Sequence, residues 1–290
     1  MVKIRTVTRN VLKIPSRQAK AFIVHTTNVV KFTWTHPANE GGRARALLRV
    51  ARFQMCARLL RRRTRTRIGK RSSLWAGPNR FAALKAVCAN PPDYPEMLVW
   101  QRALRPMDLF IDVGANVGSY TIWAGDVGAE VIALEPAQDT FALLVENAAL
   151  NGYTIHAIQA AAGASAGTAR FTSGRDDWNH LDAAGGVEVP VVTIDSVIGD
   201  RVAAGMKVDV EGFEIEVLRG CERALSGRRI RLIQLEWNSV SQQAVGADRR
   251  PVADLLAKYG YSLYRPDLTG VLTPVTDLGF GPDIFARPDG

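Results

Sequence analysis

No run of 18 apolar residues occurs in the 290-residue chain, so no segment reads as a membrane-spanning helix. Cysteine is scarce: Cys56, Cys88 and Cys221 are far apart and odd in number, which points to neither a disulfide framework nor a zinc knuckle and implies a reducing, cytoplasmic setting. The opening stretch, MVKIRTVTRNVLKIPSRQAK, lacks the apolar core of a secretory signal, although its basic, acid-free character is shared with organelle transit peptides. Internal repeats are missing too. A 47% hydrophobic content suits one globular domain with an appendage.

Acid is almost missing from the first quarter. Residues 1–71 hold 19 of the 37 Lys and Arg but a single acid, Glu40, a net +18, while residues 72–290 carry a net −9. That asymmetry predicts that residues 1–71 form a separate basic extension that meets something anionic. Within it, Arg43 to Arg63 predicts an amphipathic helix: Leu48, Ala51, Met55 and Leu59 recur at helical spacing among Arg45, Arg49, Arg52, Arg58 and the Arg61-Arg62-Arg63 run. Three readings stay open. Leu48, Met55 and Leu59 pack on the rest of the protein and leave the arginines in solvent, or the helix lies on an anionic membrane at the inner face. In the third, the arginines grip nucleic acid, which the absence of interleaved aromatics and of a zinc or recognition-helix motif disfavours. Residues 72–107 read as a lead-in, with a loop at Pro91-Pro92-Asp93-Tyr94-Pro95 and a helix from Glu96 to Leu104 closed by Pro106.

The informative stretch is LFIDVGANVGSYTIWAGDVGAEVIALEP, residues 109–136. Leu109 to Val113 has the apolar, β-rich character of a buried parallel strand. It ends in Asp112 followed by Gly114, Asn116 and Gly118, a turn whose glycines admit a ligand close to the backbone and which opens a helix with unpartnered N–H groups. A second apolar run, Val131 to Leu134, ends in Glu135, 23 positions after Asp112, where a βαβ unit sets an acid against a ribose diol. The pyrophosphate-binding pattern Gly-x-Gly-x-x-Gly is not met, because Asn116 takes the middle position and neither 119 nor 120 is glycine. Beyond it, helices near 118–127, 138–150, 212–225 and 251–259 alternate with strands near 130–134, 154–160, 206–210 and 230–236. A small hairpin over 167–193 and closing strands near 261–265 and 283–287 complete the pattern, which predicts a doubly wound α/β sheet over residues 108–290.

Asp-x-Gly-x-x-x-Gly followed by Glu-Pro resembles the S-adenosylmethionine site of class I methyltransferases. Lys207, Asp209, Glu211 and Gly212, in the core Lys-x-Asp-x-Glu-Gly, resemble the signature of FkbM-type methyltransferases. Glu146-Asn147 with Leu150-Asn151, Val-Pro-Val-Val-Thr-Ile-Asp at 189–195 and Leu-Glu at 235–236 extend the likeness over roughly residues 95–287. The resemblance implies a class I methyltransferase (Rossmann-like) sheet behind a basic, partly helical N-terminal extension. It also implies S-adenosyl-L-methionine as cofactor, held by Asp112, Gly114, Asn116, Gly118, Glu135 and Pro136, and methyl transfer to a hydroxyl of a glycan, glycolipid or polyketide-like metabolite. An RNA methyltransferase is the alternative, as is a non-enzymatic cofactor-fold module docking through its basic N-terminus.

In-line transfer to a hydroxyl needs alignment and a base. Asp209, at the end of the fourth core strand, is the first candidate to orient or deprotonate the acceptor, its alternative being a bond to local backbone or to the cofactor's amino group. Lys207, two positions earlier, shares its face and would hold it ionised. Glu211 sits at the turn, where it caps the helix or joins the chemistry. His180, in the polar loop GRDDWNH, has the near-neutral pKa of a base. Glu236 ends the fifth strand beside Trp237 and could pair with Asp209 around a divalent ion, but two carboxylates make no complete ligand set, and no metal is expected. Trp178 and Trp237 read equally as stacking platforms for an acceptor and as packing residues.

Overall fold

A computed structural model of the chain describes residues 16–59, 61–77, 81–171, 186–237, 249–275 and 277–289. Its centre is an eight-stranded sheet. In chain order the strands that build it are β3 (Leu109–Val113), β4 (Glu130–Leu134), β5 (His156–Ile158), β9 (Gly205–Val208), β10 (Ile233–Leu235), β11 (Tyr261–Pro266), β12 (Leu272–Pro274) and β13 (Ile284–Pro288). Across the sheet they run β12-β11-β13-β10-β9-β3-β4-β5, with β5, β4, β3, β9 and β10 parallel and β13 antiparallel between β10 and β11. This is the doubly wound α/β sheet that the alternation of helix and strand predicts, and its parallel part is the one that the resemblance to class I methyltransferases implies. From β3 the chain winds outward to β4 and β5, then returns to β9 on the other side of β3, so the order reverses between β3 and β9. A crevice opens at the carboxyl ends of strands at such a reversal.

Both faces of the sheet are covered, which is why the strands read as apolar runs. Ile111, Val113, Met206, Val208, Ile233 and Leu235 point to the face packed by α7 (Ile194–Ile198), α8 (Glu214–Arg219), α9 (Glu222–Ser226) and α10 (Arg250–Lys258). Phe110, Val131, Ala133 and Phe285 point the other way, onto Trp100 of α4 (Tyr94–Ala103) and onto Tyr120 and Trp123 of α5 (Ser119–Val127). Alongside lies α6 (Gln138–Leu150). The helix predicted over 212–225 is broken in two at Gly220-Cys221. There the backbone comes so close to Gly163 that a Cβ on Gly220 would strike its carbonyl, and Asp195 caps the restart by accepting from Arg223 N and Ala224 N at 2.9 and 2.8 Å. Beside the main sheet, β6 (Ala161–Ala162), β7 (Gly167–Phe171) and β8 (Val187–Val192) form a three-stranded one, with β7 and β8 the arms of the expected hairpin.

The N-terminal part departs from its sequence reading twice. Its helices α1 (Ser16–Thr35) and α2 (Arg43–Leu59) pack with α3 (Phe81–Cys88) on a small core of Val29, Val50, Phe53, Ala57, Leu84 and Val87. The face α2 buries is therefore Ala46, Val50, Phe53 and Ala57, while Leu48 and Met55, which the first reading laid on the protein together with Leu59, face solvent; the Leu59 side chain lies outside what the structure describes. The half-turn phase error arises because α2 carries two apolar stripes of helical period, and the sequence reading followed Leu48, Ala51 and Met55 and passed over Ala46, Val50, Phe53 and Ala57. The division drawn at 71/72 also falls in the turn of a hairpin, because β1 (Thr64–Ile68) pairs antiparallel with β2 (Ser72–Ala76) across it. Among the described residues, no helix is long and apolar enough to cross a membrane.

The hairpin is bolted to the core. Asp126 of α5 accepts from Lys70 N, Arg71 N and Ser72 Oγ at 2.9, 3.0 and 2.6 Å, and Glu146 of α6 receives both guanidinium nitrogens of Arg63 at 2.5 and 2.7 Å. One turn apart on α6, Asn147 Oδ1 accepts from Trp75 N and Asn151 Oδ1 from Ser73 N, each at 2.8 Å, while Asn147 Nδ2 donates to Val117 O at 2.8 Å. Asn147→Ala leaves a buried donor and acceptor without partners, so unfolding stability should fall by about 1–3 kcal/mol. Chemical denaturation of the two proteins side by side tests this, and an unchanged midpoint would remove the hairpin clamp from the account.

Candidate functional site

The turn after β3 stands in the crevice at the strand reversal. Gly114 has φ 76° and its amide donates to Leu134 O at 3.0 Å; a Cβ there would collide with the carbonyl of Asp209, so β3 and β9 close on each other only around glycine. Asn116 adopts φ 51°, left-handed backbone that asparagine accepts more readily than most residues, and its side chain accepts from Val117 N at 2.7 Å. That conformation accounts for an asparagine where the pyrophosphate pattern has glycine. Gly118, φ 92°, caps α5, and a Cβ on it would strike Leu144 of α6.

Glu135, nearly buried at the end of β4, splints this turn. Its Oε2 accepts from Asn116 N at 2.9 Å and its Oε1 from Ala137 N at 2.8 Å, beyond the buried ring of Pro136. Each oxygen keeps a lone pair for a ligand hydroxyl. Burial drives the Glu135 pKa up to about 7, against the two backbone bonds, which favour the anion. Asp112, also buried, accepts from Thr121 Oγ1 at 2.6 Å through Oδ2, while its Oδ1 has no partner.

Across the reversal, Lys207 pairs in register with Asp112 on one side and Gln234 on the other, so the three side chains share a face. Lys207 Nζ meets Asp209 Oδ2 at 2.6 Å and sits 4.6 Å from the centre of the Tyr120 ring. Burial opposes the ammonium, but Asp209 and Asp112 outweigh it and hold its pKa above the ordinary lysine value. For Asp209 burial likewise pushes upward, and the Lys207 ammonium overrides it, so the carboxyl titrates below its usual range although its side chain is 36% exposed. Gln234 donates to Asp283 Oδ2 at 2.7 Å and to Tyr120 Oη at 3.1 Å, and it accepts from Trp100 Nε1. Sequence reasoning missed Gln234, whose signal was a lone glutamine inside the apolar run of β10.

The crevice gathers three candidates predicted from sequence. Asp209, Glu211 and Glu236 bring carboxylate oxygens within 4.8 Å of one another, the kind of group that could hold a cation; Glu211, which the sequence assigned to the turn, is the third member. Glu211 sits at φ 53° and Gly212 follows at 105°. Glu214, the first residue of α8, braces this turn, its Oε1 accepting from Gly212 N at 3.1 Å. Trp237 is fully buried, donates to Leu278 O at 3.1 Å and packs in the core, so it offers no platform. His180 and Trp178 lie outside the described residues.

Residues 112–263 match the methyltransferase FkbM domain, just over half of the chain. The chain belongs to the FkbM methyltransferase family. Two relatives are the hexuronic acid methyltransferase AglP of Haloferax volcanii, 28% identical over 52% of this chain and 62% of that protein, and the 31-O-demethyl-FK506 methyltransferase FkbM of Streptomyces tacrolimicus, 32% identical over 55% and 75%. The match to AglP therefore spans less than two thirds of that protein's length. Among solved structures, the chain is similar to the Thermus thermophilus 16S rRNA N2 G1207 methyltransferase (15% identity, TM-score 0.44, 79% of this chain and 50% of that one) and to the magnesium protoporphyrin IX methyltransferase of Synechocystis PCC 6803 (13%, 0.42, 68% and 80%).

The family's cofactor, S-adenosylmethionine, fits the residues present. An orphaned buried oxygen on Asp112 and a splinted carboxylate at Glu135 match a methionyl chain bonded to a ribose. The ribose hydroxyls would donate to Glu135, which accepts best when ionised. Affinity for S-adenosylmethionine should thus rise as pH climbs through about 7, while fold stability moves the other way, because a raised carboxyl pKa favours folding at acid pH and loses that contribution as pH passes the folded value. Calorimetric titration of wild type and Glu135→Gln at about pH 6 and about pH 8 checks it. A flat wild-type profile, or the same slope in the variant, would take the ribose from Glu135.

Proposed function

We propose that the protein is an S-adenosylmethionine-dependent O-methyltransferase whose acceptor is a hydroxyl of a glycan, glycolipid or polyketide-like metabolite. The observation that carries this reading is the placement of the Asp209 carboxylate: its own backbone closes the glycine cradle, and its Oδ2 is taken by Lys207. Oδ1 is left to meet an incoming hydroxyl. The cofactor, when bound, supplies an electrophilic methyl group on a sulfonium. Asp209 would orient the acceptor hydroxyl for in-line attack on that methyl group and take its proton, or pass it to solvent, as the methyl moves from the sulfonium to the acceptor oxygen.

Lys207 keeps Asp209 ionised and fixed in direction, at the cost of basicity. The site's main contribution is then alignment of oxygen, carbon and sulfur, with the proton lost late. Glu211 and Glu236 beside Asp209 can accept from neighbouring hydroxyls, the donor pattern of a sugar or polyol. The relatives support that class in coarse terms, one being named for a hexuronic acid and the other for an O-demethylated metabolite. Incubation with labelled cofactor and cell extract split into lipid, polysaccharide and RNA fractions tests the acceptor. Label in RNA alone would favour RNA methylation, and label in none would leave a non-catalytic cofactor-fold module.

Asp209→Asn keeps size and one acceptor oxygen but takes no proton. It should lower kcat by about 10²–10⁴-fold with affinity for S-adenosylmethionine changed less than about fivefold, since the lost interaction forms as the acceptor oxygen reacts. The depressed Asp209 pKa puts the acid limb of the wild-type kcat profile below the ordinary carboxylate range. Loss of cofactor affinity in step with activity would reassign Asp209 to the cofactor and move the base to Glu236 or His180.

A further inference from the structure

The arginine-rich helix α2 carries two opposed apolar stripes, and only one of them is used. Ala46, Val50, Phe53 and Ala57 fill the contact with α1 and α3. Half a turn round, Ala44, Leu48, Ala51 and Met55 follow one another at steps of four, three and four residues and all face solvent, with Leu48 62% and Met55 54% exposed. Arg45 and Arg52 border this outer stripe, exposed as well. On α1, Val30 and Trp34 are exposed one turn apart next to Lys31, and Arg43, at the start of α2, reaches over the Trp34 ring at 5.7 Å.

We propose that this outer face of α1 and α2 is a docking surface for an anionic lipid bilayer. Aliphatic side chains flanked by guanidinium groups gain by leaving water at a surface that offers hydrocarbon just below a layer of negative charge, and Trp34, half exposed beside Arg43, has the amphipathic character of a headgroup-level residue. Residues 1–71 hold one acid against 19 basic residues, so nothing on this segment repels anionic headgroups except Glu40. A nucleic acid suits the face less well, because Leu48, Ala51 and Met55 neither stack on bases nor bond to phosphate. A second copy of the chain suits it less well again, since a two-fold contact would press Arg45 and Arg52 toward their own counterparts. The arrangement would hold the crevice near acceptors that reside in or on a membrane, which extends the proposed chemistry without depending on it.

The test uses the full chain and phosphatidylcholine vesicles with and without phosphatidylglycerol, read by co-sedimentation. The wild type should pellet with the anionic vesicles, not with the neutral ones, and less as salt rises. The double variant Leu48→Glu/Met55→Glu should lose about tenfold or more in vesicle affinity. Both positions point to solvent, so its circular dichroism and its affinity for S-adenosylmethionine should match the wild type. Arg45→Glu/Arg52→Glu should weaken binding to the anionic vesicles and make it less steeply dependent on salt than in the wild type. Absence of wild-type binding to anionic vesicles overturns the proposal, as does undiminished binding by the Leu48/Met55 variant, or salt-steep binding to RNA that the same variant retains while vesicles are ignored. Methyl transfer is not read in any arm, so the result stands apart from the fate of the enzymatic reading.

Discussion

One buried ammonium organises the crevice. Lys207 stands in the middle of a parallel sheet, between β3 and β10, where a charge with no partner would be expelled or neutralised. It remains because Asp112 lies in register on one side and Asp209 binds it at 2.6 Å from above. The same three charges decide what the neighbouring groups can do. Lys207 holds Asp209 ionised and aimed. It lowers part of the burden that burial places on Asp112, whose second oxygen stays unpartnered in the protein. Asp283, a step further along the same face, has its pKa driven up to about 6 by burial and by Asp209. Replacing Lys207 by an apolar residue would thus leave two carboxylates facing each other at the strand reversal, a loss of a different order from that of a surface ion pair.

Glycine is the second constraint, and it acts through contact between strands. Gly114 permits β3 and β9 to approach until the turn touches the Asp209 carbonyl, which couples the cofactor cradle to the residue proposed to meet the acceptor. A side chain at 114 would part the strands at the very place where the Lys207 pairing needs them close. Cofactor cradle and candidate base therefore come as one packed unit.

Much of this was legible in the sequence because each signal was local. Strand, turn, helix, strand and terminal acid fall within residues 109–136, and the Lys-x-Asp spacing puts two side chains on one face of β9 by alternation alone. What could not be read depends on neighbours far along the chain. Gln234 meets Trp100, Tyr120 and Asp283, none of which is near it in sequence. Asn147 and Asn151, quoted as family motif residues, turn out to clamp β2, and Asp195 caps a helix rather than meeting a ligand. The half-turn error on α2 has the same origin, since an apolar stripe along one helix does not reveal which side its neighbours take. Glu211 joins the carboxylate cluster only because the backbone enters the left-handed region at 211 and 212, a path that Glu-Gly permits but does not announce.

The N-terminal body is tied to the cofactor turn by a short covalent and hydrogen-bonded route. From α2 the chain passes directly into β1 and across the hairpin to β2, whose Trp75 amide donates to Asn147, and Asn147 in turn donates to Val117 within the glycine turn itself. The Arg63–Glu146 pair closes the same loop from the foot of the hairpin. Exposed as it is, that pair adds little energy, but it fixes direction: the hairpin can meet α6 in one register only. A helix with an outward apolar stripe and a turn that cradles a cofactor are thereby held in fixed relation by backbone geometry. Orientation of the crevice toward whatever the outer stripe meets then follows from the fold, with no moving part required.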